Sequence, residues 1–479
     1  MTSPGEQAAV LLCGGSFFVF LFYLAGRRPV IFVCFFFIIF TLAWRMTATM
    51  FIDLQGPVYS SQLERTIGPG TATVVHSIAY FVTLVPFFYL FRQSAVEAWC
   101  ADARQDTPQP GEITLADLTF LASLVLLGFL YFDLVRRGTI PFFSKVERFN
   151  YAGGMVHRWL LRYGNLLTFW WGMMFTAEHL RRRRVDWRML ILLGLLALYA
   201  FLTGNRFSAY YSYLSYFVAP WAAVVALHVT RQNKPFAWIG RSLASNKSRL
   251  AASSFAIMLG GVVLYAIYNN LANVRGYQWS EIWHQAFERT LIQPSEVGWD
   301  SFERIFERGH AAPPVVFRFL FEEPIDPNRN TSIQYLMFAS IGEPRASDQI
   351  RGGFQLAGGF PEIFFELFGP YFAWPFLLGA GCIAAALSAT IVRGMLRCDF
   401  ASTFLASYVL FGFHVMYIGG MLNFVAVPSY WIKIGLFAFA LFLEGTVARH
   451  GLQLVPFSLL RVSRPFLRLR RTRQAGNQD

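Results

Sequence analysis

Charged side chains are scarce in this chain: Asp, Glu, Lys and Arg make up 14% of its 479 residues, against 55% hydrophobic and 18% aromatic. That balance excludes an ordinary soluble domain and favours one that dissolves in lipid. Cysteine is also rare. The five, Cys13, Cys34, Cys100, Cys382 and Cys398, form no C-x-x-C pair. None falls where an exported disulfide or a zinc site would be expected. Only four lysines occur, so arginine is the default cation. The chain contains no P-loop, dinucleotide fingerprint, H-E-x-x-H or G-x-S-x-G. It also lacks a D-x-D on the side read below as exported, which leaves metal-dependent sugar transfer without a ligand pair. The formal charge of +13 does not point to nucleic acid, because cytoplasmic loops of membrane proteins collect Lys and Arg.

What the chain has in abundance is apolar runs near the ~20 residues that a spanning helix needs. Spans are expected at about 8–25, 30–51, 71–91, 113–135, 159–180, 187–204, 207–229, 250–270, 370–392, 400–420 and 424–447. The fold class is therefore an all-α polytopic membrane protein, a bundle of about 11 transmembrane helices with a large exported loop. Residues 1–270 form an N-terminal bundle of about eight helices, with an exported loop at 136–158. Residues 271–361 form the large exported cap, 362–447 the C-terminal helices and 448–479 a basic cytoplasmic tail. Of the 41 basic residues, 23 fall on one side and 16 on the other, 14 of the latter in two segments. The short connections follow the positive-inside rule and place the N-terminus outside and the C-terminus in the cytosol. The first apolar run has no basic leader and no small-residue cleavage site, so it reads as a retained span.

In the long segment, WSEIWHQAFERTL and WDSFERIFERG carry Trp279, Ile282, Trp283 and Trp299, Phe302, Phe306 at helical spacing. Both read as amphipathic helices on the membrane face. The segment ends in RGGFQLAGGFPEIFFELFG, Arg351 to Gly369. Gly358 and Gly359 permit backbone that bulkier residues resist and let a ligand approach. Pro361 suits a helix start. Glu362 and Glu366 then share one helical face. This is either a polar site at a membrane-cavity mouth or a re-entry loop whose carboxylates complement a helix N-terminus.

Arg206, in the TGNR break between two apolar runs, is the sharpest cation, because an arginine at a tight membrane turn is costly unless it pairs or reaches water. It is read as a phosphate ligand, since a guanidinium offers paired donors, or as a snorkelling side chain. Arg148 and Arg351 join it as candidate diphosphate-binding residues. For a general base the long segment offers His284, His310, Glu343, Glu362 and Glu366, with Glu366 preferred because an apolar run follows it. Tyr210, Tyr211, Tyr213, Tyr216, Trp170 and Trp171 suit sugar or prenyl stacking, or simple bundle packing. His414 and Lys433 are candidates for buried polar contacts. No cofactor and no metal ligand set is expected.

Three stretches together, TGNR at 203–206, IPFF at 140–143 followed by Arg148, and the late GGFPEIFFELFG, resemble the bacterial oligosaccharide repeat-unit polymerases, the Wzy-type O-antigen polymerase group. The resemblance implies a metal-independent glycosyltransferase of the bacterial cytoplasmic membrane. It would polymerise undecaprenyl-diphosphate-linked oligosaccharide units with release of undecaprenyl diphosphate. The implied partners are those lipid-linked sugars, the bilayer, and a chain-length regulator and flippase of the same pathway. O-antigen ligases, other lipid-linked glycosyltransferases and a lipid-linked oligosaccharide flippase are the alternatives.

Overall fold

The computed structural model describes residues 3–101, 103, 115–144, 151, 153–182, 185–205, 207–232, 261, 265, 268, 272, 278–309, 331–351, 356, 358–420, 422 and 428–449. The protein is an all-α membrane protein, about 85% helical. Among the described residues, seven helical stretches are long and apolar enough to cross a bilayer. They are α1 (Pro4–Arg27), α3 (Phe36–Gln55), α4 (Ala72–Leu90), α6 (Leu115–Arg136), the run Ala209–Thr230 made by α10 (Phe207–Val218) and α11 (Ala222–Gln232), α16 (Glu362–Leu396) and α17 (Phe400–Gly419). The remaining expected spans lie on α8 (Met155–Arg182), which carries several charges, and on α9 (Trp187–Leu202) and α18 (Pro428–Arg449), whose apolar stretches are shorter. The span expected at 250–270 lies almost wholly outside the described residues.

Local sequence explains the boundaries. α1 starts at a capping box, where the Ser3 hydroxyl accepts from the Glu6 N–H and the Glu6 carboxylate accepts from the Ser3 N–H. Pro29 begins the six-residue α2 (Pro29–Cys34) ahead of α3. Between α9 and α10 the chain turns at Gly204 (φ 71°), and the Asn205 side chain donates to Thr203 Oγ1 at 3.0 Å. This is the turn expected of TGN. α16 is broken at Gly369 (φ 73°, ψ 173°), so a short first piece, Glu362–Phe368, precedes the long run from Pro370. The break falls one residue before the expected start of that span.

α16 packs against both α4 and α17, and α1 leans on α3 and α4. α8 packs on α10. Small residues allow these approaches: a Cβ at Gly381 would meet the Thr83 carbonyl of α4, and one at Gly172 would meet the Phe217 carbonyl of α10.

A two-stranded antiparallel hairpin, β1 (Val58–Ser60) with β2 (Arg65–Ile67), pairs Val58 with Ile67 and Ser60 with Arg65. It follows α3 and leads into α4. In the long segment, α12 (Trp279–Leu291) begins at a capping box between Gln278 and Glu281 and keeps Trp283 exposed, as expected of an amphipathic helix. The next helix departs from expectation. α13 (Glu296–Phe302) is buried at every residue and continues through a π-helical turn, Glu303–Glu307, instead of lying on the surface. α14 (Thr331–Ile341) packs against α13 and against α15 (Glu343–Arg351).

Gly381→Leu should disrupt the α4–α16 contact and cost about 1–3 kcal/mol, the usual range for overpacking. Gly379→Leu, at a glycine with open space around it, is the control. Thermal unfolding in detergent should fall for the first and hold for the second.

Candidate functional site

Four segments converge on one buried charged cluster. α3 supplies Arg45, α4 supplies His76, the turn before α16 supplies Phe360, and α16 opens with Glu362. The Arg45 guanidinium pairs with the Glu362 carboxylate, donates to the Phe360 carbonyl, and donates through Nε to the Pro294 carbonyl at 3.2 Å. Glu362 Oε2 accepts from the Gly359 N–H at 3.0 Å. His76 Nδ1 lies 2.8 Å from the Ala72 carbonyl and must donate there. Its Nε2 lies 3.1 Å from Glu362 Oε1. Arg45, His76 and Glu362 are all buried, yet every charge has a partner.

Gly298 of α13 covers this junction. A Cβ there would collide with Glu362 Oε1 and lie 3.1 Å from His76 Nε2 and 3.3 Å from Arg45 Nη2. Asp53, also buried, fixes the neighbouring pieces. It accepts from the Thr73 N–H at 2.7 Å and from the Trp299 indole N–H at 2.9 Å.

One turn along α16, Glu366 has no exposed surface and pairs with Arg304 at 2.6 Å. Arg304 also donates to Asp300 at 3.3 Å and to Ser301 at 3.2 Å. Asp300 accepts from Ser340 at 2.6 Å and pairs with Arg65 of β2, which reaches Glu303 at 2.9 Å as well. The Arg65 side chain is 34% exposed. Charges therefore run without a break from the surface at Arg65, through Asp300 and Arg304, to the buried Glu366.

Two more carboxylates tie the hairpin to this segment. Ser60 donates to Glu296 at 2.6 Å, and the Ser61 N–H donates to Glu288 at 2.6 Å. Burial, with the nearby charges of Glu288 and Asp300, pushes the Glu296 carboxyl up to about 8 against the opposing pull of the Ser60 hydroxyl.

The structure brings Glu362 and Glu366 together on one face, as their spacing requires. Arg351 ends α15 and is exposed. Arg148, Arg206 and His310 lie outside the described residues, as does the Gly352–Gly353 pair. His284 and Glu343 are exposed, Tyr213, Tyr216 and Trp171 are buried, and buried His414 hydrogen-bonds the Tyr216 hydroxyl. Gly358 (φ 117°) and Gly359 (φ 125°) adopt the backbone their composition allows, but the close approach is made by the chain itself. Gly358 faces Arg45, and Gly359 packs on the backbone of Gly419 and Gly420. His76, Asp53, Asp300 and Arg304 carry no sequence signal that sets them apart. Arg45 does carry one, a charge inside an apolar run, beside the Glu362 and Glu366 pair already expected.

A family model described as "Family of unknown function (DUF6418)" matches residues 326–447. The match covers about a quarter of the chain, including Glu362 and Glu366 but not Arg45, His76 or Arg304. No curated protein and no solved structure matches the chain.

Gly298→Ala should cost about 1–3 kcal/mol, because the added methyl must displace a carboxylate held by Arg45 and His76. Thermal unfolding of the purified variant measures it. The Glu296 carboxyl gives a separate, signed expectation. Its folded value lies above the ordinary 4.5, so between about pH 4.5 and 8 the folded chain keeps a proton that the unfolded chain releases. That contribution is complete below pH 4.5 and lost as pH rises through about 8. Glu296→Gln should therefore flatten the decline in unfolding temperature between pH 5 and about 8, while an unchanged slope would assign the decline to other groups.

Proposed function

We propose that this protein transfers a growing oligosaccharide from one undecaprenyl diphosphate carrier to a lipid-linked repeat unit, as Wzy-type polymerases do. The observation that supports it is the pair Glu362 and Glu366, one turn apart at the start of an apolar helix, each facing an arginine brought from a distant segment. In this reading the segment holding α12 to α15 faces the exported side of a bacterial cytoplasmic membrane. The N-terminus is also outside and the C-terminus is in the cytosol.

Glu366 is the proton acceptor and Arg304 the exchangeable cation. An incoming diphosphate competes for the Arg304 guanidinium through bidentate contacts that a carboxylate offers less strongly. With Arg304 drawn away, a Glu366 oxygen is free to accept the proton of the acceptor hydroxyl. The acceptor hydroxyl loses that proton to Glu366 as its oxygen bonds the anomeric carbon of the growing chain. The bond from that carbon to the diphosphate oxygen breaks, and its electron pair leaves on undecaprenyl diphosphate. Arg304 and Arg65, with Arg206, Arg351 and Arg148, meet the charge gathering on the phosphates. Glu362 holds the scaffold beneath through Arg45 and His76. A chain-length regulator and a flippase would act on either side of this step.

The test is a purified assay with undecaprenyl-diphosphate-linked repeat units, reading the polymer ladder and the released diphosphate lipid. Glu366→Gln should lower the initial rate by about 100-fold or more, the usual contribution of a general base. Arg206→Ala and Arg351→Ala should abolish extension at normal protein level. Thermal unfolding of each variant separates lost chemistry from lost fold. Wild-type ladders from all three variants would end this assignment. Polymer made by all three in cells but never attached to its acceptor would favour a ligase.

A further inference from the structure

A groove between α8 and α17 takes no part in the charged network. Trp159, Tyr163 and Trp170 recur along one face of α8, and Phe404 and Tyr408 stand opposite on α17, enclosing about 330 Å³. Trp170 and Phe404 meet edge to face at one end, with ring centroids 5.7 Å apart. Two cations gather toward the other end. Lys433 of α18 places Nζ 4.1 Å from the centre of the Tyr408 ring, and the Arg162 guanidinium lies 5.5 Å from the centre of the Tyr163 ring. Both of those rings line the groove, so each cation stands beside it. Neither forms an ion pair with a carboxylate among the described residues.

We propose that this groove binds a membrane phospholipid with a net-anionic headgroup. The phosphate would sit between Lys433 and Arg162, with the adjoining stretch of one acyl chain along the aromatic rings. Two like charges beside low-dielectric surroundings are unfavourable until an anion joins them. Aromatic faces stabilise the cations only in part. The cavity lies at the small end of ligand pockets, so it takes part of one chain and leaves the rest in the bilayer. A zwitterionic headgroup carries its own cation beside the phosphate and satisfies the pair less well. None of the lining residues belongs to α3, α4, α13 or α16, the elements that hold Glu362, Glu366 and their partners. For that reason a bulk phospholipid, and not a sugar-bearing lipid, is the occupant, and the proposal stands apart from the glycosyl-transfer reading.

Native mass spectrometry of the full chain in detergent, titrated with phosphatidylglycerol or phosphatidylcholine, tests this. The wild type should retain phosphatidylglycerol preferentially. Lys433→Gln and Arg162→Gln should each weaken that preference about fivefold, the usual effect of one basic group near an anionic headgroup. Arg92→Gln is the control; Arg92 also sits over a ring, 5.6 Å from the centre of Tyr89, but away from the groove. Its preference should match the wild type. Trp170→Ala, which removes a wall without touching charge, should weaken both lipids alike. Equal retention of the two lipids by the wild type, or a preference surviving in the Lys433→Gln/Arg162→Gln double variant at unchanged unfolding temperature, would overturn the proposal. Displacement of phosphatidylglycerol by stoichiometric undecaprenyl diphosphate would overturn it too, assigning the groove to a carrier lipid.

Discussion

A guanidinium from the middle of α3 meets a carboxylate from the first turn of α16, and both are held away from water. Removing two such ions from water costs several kcal/mol each, and attraction between them offsets this only when their remaining hydrogen-bonding capacity is met. Here it is met by backbone. The Pro294 and Phe360 carbonyls accept from Arg45, while the Gly359 N–H donates to Glu362. Those backbone groups belong to the segments that enter α13 and α16. The ion pair therefore fixes where two long-range segments return to the bundle, and it does so at a geometry in which glycine is favoured at positions 298, 358 and 359.

The burial of α13 follows from that pairing. A seven-residue helix carrying Glu296 and Asp300 would be poor core material without partners. Each carboxylate has one in the hairpin: Ser60 for Glu296 and Arg65 for Asp300. Trp299 adds its indole N–H to Asp53 at the foot of α3. The hairpin, α13 and the turn before α16 form one polar-lined wedge seated on α3 and α4. The exposed α12 remains attached through Trp44, whose indole N–H donates to the Thr290 carbonyl at 2.8 Å.

Much of the helical layout was legible because lipid-spanning helices write themselves as apolar runs, and Gly369 and Gly204 mark breaks that glycine permits. Glu362 and Glu366 were legible as a pair because four residues make about one turn. Their partners were not. Arg45 and Glu362 lie 317 positions apart, and nothing local to either names the other. WDSFERIFERG was read as a surface helix because its spacing of aromatic and charged residues is that of an amphipathic helix. The same spacing serves a buried helix whose charges are answered by other elements, and periodicity does not distinguish the two. The hairpin at 58–67 offers two three-residue strands, too short for an alternating pattern to register.

The two glutamates share a helix face but differ in how they are held, and in the proposed reaction this difference would separate scaffold from chemistry. Glu362 is braced by Arg45, His76 and a backbone N–H, and Arg45 is in turn gripped by two carbonyls. Releasing that arginine would strand several buried groups at once. Arg304 is held by side chains instead of backbone carbonyls. Its other hydrogen bonds go to Asp300 and Ser301 within its own helical turn, and its side chain retains some exposure. In the proposed reaction it would turn from Glu366 toward the diphosphate, while α3 and α16 stay joined through Arg45 and Glu362. The proposed reaction asks a site to hold its shape while exchanging one ionic partner, and a backbone-braced pair below a side-chain-held arginine, one helical turn apart, is compatible with both demands.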